Sequence, residues 1–84
     1  MSQNKKRKLT SAEDVTDVEK LLYDVAAGDV ESADVSESET EIVYKFIHLR
    51  EDLMLKLVSL QLTRRIAREV VIGLNNSVSF IVPK

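Results

Sequence analysis

Four consecutive bases, Lys5, Lys6, Arg7 and Lys8, are the densest cluster of chemical function in this 84-residue sequence. An exposed, extended run of that charge density is what an acidic importin-type groove reads, so the tetrad is taken as a nuclear import signal; a solvated basic tail or direct phosphate contact would leave the same pattern. A second basic group, Arg64, Arg65 and Arg68, is placed to meet nucleic-acid phosphate or an acidic partner. Snorkelling over apolar neighbours, or pairing with the chain's own acids, explains those arginines without a ligand, and no aromatic residue is interleaved for base stacking. Ser36 and Ser38 each have a glutamate three residues downstream, Glu39 and Glu41, the pattern that acidophilic kinases use. A phosphate at either would add about −1.5 to −2 charges to an already acidic segment.

Catalytic chemistry finds little to work with. His48 has Asp52 four residues on, which would orient an imidazole on a helix, but no nucleophile accompanies the pair. The chain has no cysteine and one histidine, which excludes a disulfide framework, a thiolate zinc site and a cluster of imidazoles. Gly28 and Gly73 stand alone, so no glycine-rich loop is available to cradle a phosphate. Tyr23, Tyr44, Phe46 and Phe80 read as packing residues. The expectation is a non-enzymatic protein with no cofactor, metal or small-molecule substrate.

The net charge of −2 conceals a strong segregation. Residues 1–8 carry four bases and no acid, residues 9–41 carry eleven acids and Lys20 alone, and residues 42–84 carry seven bases and three acids. The basic start is not followed by an apolar run, so it does not read as a secretory signal. The most apolar stretch, Ile42 to Leu74, is interrupted by ten charged or histidine side chains. At about 2.5–3.5 kcal/mol per charge at the bilayer centre, a membrane span is not expected.

Composition divides the chain into elements that would have to position these groups. Residues 1–10 read as a disordered basic tail. Residues 11–28 read as a short acidic helix, with Ser11 and Asp14, or Thr10 and Glu13, as the capping pattern, Val15, Val18, Leu21, Leu22 and Val25 at helical spacing, and Gly28 as the stop. Residues 29–40, alternating acids and serines, read as a flexible acidic linker.

Residues 41–74 predict one long interaction helix. Glu41, Lys45, His48, Asp52, Lys56, Ser59 and Thr63 fall on one polar stripe, and Ile42, Phe46, Leu49, Leu53, Leu57 and Leu60 on the opposite apolar one. Flanking apolar residues widen that surface beyond what an ordinary amphipathic helix buries, so partner chains are expected to cover it. The spacing is nearer an eleven-residue repeat than strict heptads, which favours a bundle over a long left-handed zipper. Beyond Arg68 two readings compete. The apolar stripe carries the helix to about Leu74, followed by an extended tail over 75–84; alternatively, Glu69–Leu74 and Ser77–Val82 form a hairpin around Asn75-Asn76.

The sequence therefore predicts a mainly α protein packed with partner chains in a helical bundle or coiled coil, and a function as a small non-catalytic subunit of a nuclear multiprotein complex. Ile42, Phe46, Leu49, Leu53, Leu57 and Leu60 are the expected partner-binding residues, with other protein subunits favoured over self-association. The alternative is a small nucleic-acid-binding protein using the basic tail and the Arg64, Arg65 and Arg68 cluster.

Overall fold

A computed structural model of the chain describes residues 5–26 and 32–84. Its elements, in chain order, are β1 (Lys5–Lys8), α1 (Asp17–Ala26), β2 (Ala33–Glu37), β3 (Glu41–Phe46), α2 (Glu51–Arg64), β4 (Glu69–Gly73) and β5 (Ser77–Pro83). The five strands form one sheet in the order β1-β2-β3-β5-β4, antiparallel at every pairing. The expected mainly α architecture is thereby overturned: the chain is a small α+β fold, with neither a helical bundle nor a coiled coil among the described residues. Gly28, the expected helix stop, lies outside them, as do residues 1–4 of the basic tail and 29–31 of the linker.

Period-two alternation builds the three central strands. Ala33 and Val35 of β2, Ile42, Tyr44 and Phe46 of β3, and Val78, Phe80 and Val82 of β5 are all buried on the face that carries the helices. Asp34, Ser36, Val43, Lys45, Ser79 and Ile81 alternate with them on the open face. Phe46 and Phe80 meet edge to face at the centre, with ring centroids 6.0 Å apart and planes at 86°, the geometry that aromatic quadrupoles prefer.

The predicted 41–74 helix splits because Ile42 and Phe46, four residues apart, share a face in a strand as well as in a helix. Only residues 51–64 of that span are helical. Between β3 and α2 the backbone breaks at His48, which adopts a left-handed φ of 53°, and at extended Arg50. Leu53 and Leu57 then turn the helix onto the sheet. Arg65, at φ 49°, ends it as a left-handed cap whose N–H donates to the Gln61 carbonyl. The Gln61 side-chain amide pairs in both directions with the Ala67 backbone at 2.9 Å, fixing the entry into β4.

The C-terminal segment takes the hairpin alternative. Asn75 and Asn76 both have positive φ, which asparagine tolerates better than other side chains. Asn76 Nδ2 donates to the Leu49 carbonyl, and the Leu49 N–H donates to the Asn76 carbonyl, tying the hairpin tip to the approach to α2. A methyl group on Gly73 would lie 2.5 Å from Ser77 Oγ, so the hydroxyl would have to turn away from its hydrogen bond to the Leu74 carbonyl.

In the first half, α1 starts six residues later than the capping pattern predicted. Thr16 Oγ1 accepts the Glu19 N–H at 3.1 Å, so Thr16-x-x-Glu19 is the operative cap. Leu22 and Ala26 bury one face of α1, with Glu19 on the same side. The linker and the basic tail are structured as β2 and β1, paired in register from Lys5 opposite Glu37 to Lys8 opposite Asp34.

Candidate protein-interaction surface

The residues expected to bind partners are mostly spent on the chain's own interior. Ile42, Phe46, Leu49, Leu53 and Leu57 are buried core residues, and Leu60 packs against that core half-buried. They hold the two helices on the sheet; the surface free to meet another molecule lies elsewhere.

The basic tetrad is β1, an outer strand. Lys5, Lys6 and Lys8 are exposed, and Lys8 Nζ lies 2.9 Å from Asp34 Oδ1. Arg7 faces the helices, and its two terminal nitrogens donate to the two carboxylate oxygens of the buried Glu19. The Thr10 N–H adds a third donor to Glu19 at 3.1 Å. This fork raises the Arg7 pKa above its ordinary value, mainly through the hydrogen bond to Glu19.

Beside the pair, the buried Tyr44 hydroxyl shares a hydrogen bond with Thr16 Oγ1 at 3.0 Å. Burial pushes the Tyr44 phenol above its usual pKa, partly offset by the Thr16 hydrogen bond. A phenol whose pKa is higher folded than unfolded stabilises the fold fully below the unfolded value near 10, and loses that contribution as pH rises through the folded value. The unfolding free energy should therefore fall with pH above about 10. Tyr44→Phe should cost about 1 kcal/mol at neutral pH yet flatten the alkaline decline; denaturant titrations at neutral and alkaline pH check both, and equal slopes in the two proteins would refute it.

Ser36 lies in β2 on the open face, opposite Val43 and Lys6. Ser38 makes the β2–β3 turn: its Oγ donates to the Glu41 carbonyl at 3.1 Å and accepts the Glu41 N–H at 3.2 Å. A phosphate there would replace a turn contact. Arg64 and Arg65 are exposed at the end of α2, and Arg68 meets the Glu41 carboxylate at 3.2 Å. His48 is exposed at the β3–α2 break.

The distinctive surface is the β4 edge, in the segment whose sequence supports both a helix end and the first arm of a hairpin. Its signal was the β-branched run Val70-Val71-Ile72, bounded by Glu69 and Gly73. Among the described residues, β4 pairs only with β5. The hydrogen-bonding parity of the sheet fixes which backbone groups remain open. The Ser38 N–H on the Glu41 carbonyl and the Lys84 N–H on the Thr40 carbonyl extend the β2–β3 and β3–β5 registers. Even-numbered residues of β5 are thereby directed to β3 and odd-numbered ones to β4. Glu69, Val71 and Gly73 turn their backbone groups to β5, leaving those of Val70 and Ile72 on the outer edge.

Apolar side chains surround that edge. Val71 is 46 % exposed, Ile72 55 % and Leu74 88 %. On α2, about 100° per residue places Met54 and Val58 around the same side as Gln61, and the Gln61 bonds to Ala67 identify that side as the one next to β4. The devices that usually blunt an edge strand, an inward charge or a proline, do not occur within β4, whose one charge is Glu69 at its start.

A separate groove of about 570 Å³ runs between α1 and α2, lined chiefly by Val25, Leu55 and Leu60 with Asp24 and Lys56 as its charged members. No three His, Asp or Glu side chains gather as a metal site among the described residues. No described helix is long and apolar enough to cross a membrane. No known family model, curated protein or solved structure matches the chain.

Proposed function

We propose that this chain is a non-catalytic interaction subunit that engages protein through the β4 edge and the adjoining side of α2. The observation that carries the reading is the outer edge of β4, where the backbone groups of Val70 and Ile72 are open and exposed Ile72 and Leu74 lie alongside. Main-chain donors and acceptors along an edge supply affinity by strand addition, and the flanking side chains supply selectivity. The nucleus, suggested by the basic tetrad, is the proposed compartment.

The reading separates interaction from folding. Ile72→Lys changes a half-exposed edge side chain and should leave stability within about 0.5 kcal/mol, while abolishing co-capture of the partner by the tagged chain in cells. Leu55→Asp, on the exposed far side of α2 facing the groove, should retain it. Capture unaffected by Ile72→Lys, or lost equally with Leu55→Asp, would remove β4 from the proposal.

A further inference from the structure

The β4 edge is complementary to itself. We infer that the occupant of this edge is β4 of a second copy, paired antiparallel about a two-fold axis through Val71, so that two five-stranded sheets join into one of ten strands. The inference rests on the interaction reading above and names the partner.

Backbone parity admits this register, and of the registers it admits this one alone pairs both outward residues of β4 with outward residues of the second β4. Val70 and Ile72 carry the outward N–H and C=O groups, so Val70 of one copy opposite Ile72 of the other forms a hydrogen-bonded pair, and the symmetry repeats it: four N–H···O=C bonds around the axis. Val71 then faces its own counterpart as the non-hydrogen-bonded pair. A shift by one residue would bring the outward groups of one strand opposite groups already bonded to β5.

Charge and shape agree with the same register. Glu69 falls opposite Gly73 of the second copy and Arg68 opposite Leu74, so no like charges oppose each other across the junction. Val70 and Ile72 form β-branched cross-strand pairs on the helix-bearing face. A two-fold axis perpendicular to the sheet keeps both helix layers on one side, and brings the Met54 and Val58 side of each α2 toward the other. A five-residue strand by itself falls short of the roughly 800 Å² per partner that stable interfaces bury; the α2 side chains add to it.

A heterologous strand could take the edge, but nothing on it requires one. The self-register satisfies the outward backbone groups and covers the exposed Val71 and Ile72 together.

The absence of native cysteine makes the register directly testable. Val71→Cys places two thiols at a non-hydrogen-bonded pair, where Cα atoms about 4.5 Å apart lie within disulfide range. Mild oxidation should convert the purified variant almost wholly to a covalent dimer. Val43→Cys, on the open face of the central strand β3, should remain monomeric in denaturing electrophoresis. In sedimentation equilibrium the wild-type chain should show twice its monomer mass. Ile72→Pro, which removes an outward donor at an edge where proline is tolerated, should sediment at monomer mass with an unchanged far-ultraviolet circular dichroism spectrum.

A monomeric wild-type chain overturns self-pairing; if its capture of another protein is still lost with Ile72→Lys, the interaction reading survives with a different partner. A dimer that crosslinks through Val43 instead of Val71 overturns both. Should Ile72→Pro fail to fold, Ile72→Lys in sedimentation and the Val71→Cys crosslink decide the matter alone.

Discussion

Replacing Arg7 with methionine should cost about 3–5 kcal/mol, because it leaves the buried Glu19 carboxylate with the Thr10 N–H in place of a bidentate guanidinium. Methionine keeps much of the apolar stem, so the loss isolates charge pairing from packing. A chain of 84 residues, at about 0.05–0.15 kcal/mol per residue, has a total stability of about 4–13 kcal/mol, so the loss removes a large share of it and, at the lower end, brings the variant to its midpoint without denaturant. Glu19→Gln should cost less, since the Arg7 side chain is about one-third exposed and can turn to water. The joint variant Arg7→Met with Glu19→Leu should recover most of the loss, because a packed apolar pair avoids desolvating either charge. Urea titrations of the four proteins measure all three differences. If Arg7→Met costs less than about 1 kcal/mol, the pair behaves as a surface ion pair and the argument fails.

The same pair constrains any test of nuclear import. Alanine at all four tetrad positions would destabilise the fold along with the signal, and a change of location would report both. Lys5→Ala with Lys6→Ala leaves the Arg7–Glu19 fork intact and should redistribute a tagged chain to the cytoplasm at unchanged stability; undiminished nuclear accumulation would count against the import signal.

Val35→Asp should abolish folding. Val35 is fully buried in β2 between β1 and β3, so the substitution forfeits about 1.5–3 kcal/mol of apolar burial and places a carboxylate where no partner awaits it. A combined loss on the order of 4 kcal/mol or more is expected, with a collapsed circular dichroism spectrum and no cooperative thermal transition. Asp34→Asn, one position away and facing solvent, should be nearly neutral. If residues 29–40 were only a spacer, both substitutions would be silent, so a folded Val35→Asp protein would refute the place assigned to β2.

Much of the candidate surface was legible as sequence and was assigned to the wrong element. Val70, Val71 and Ile72, followed by Asn75-Asn76 and then Val78, Phe80 and Val82, carry a hairpin pattern in β-branched and aromatic residues. It lost to a helical stripe through Ala67, Val71 and Leu74. The apolar line Ile42, Phe46, Leu49, Leu53, Leu57 and Leu60, which reads as a partner-binding stripe on one helix, lies in the chain's own core with Leu60 partly buried at its margin, and its first members sit in β3 and its last in α2. Spacing of four is common to a strand face and a helix face, so these positions could not discriminate between them.

Local chemistry fixed several features in advance of any long-range contact. Leu53 and Leu57 already place one helical face, Thr16 and Glu19 supply a cap, and the Asn75-Asn76 pair marks a chain reversal. Tertiary structure decided the rest. Asp34, Ser36, Val43 and Lys45 are ordinary strand residues only because one sheet face stays wet, which allows an acidic, serine-rich segment to form a middle strand. Arg7 gains its buried carboxylate partner only once α1 brings Glu19 across twelve positions of sequence, and β4 becomes an open edge only because β5 inserts between it and β3. Side-chain type and spacing set what a segment can bury, but the identity of a strand's neighbour, and so which backbone groups remain open, is settled by pairings between residues far apart in sequence.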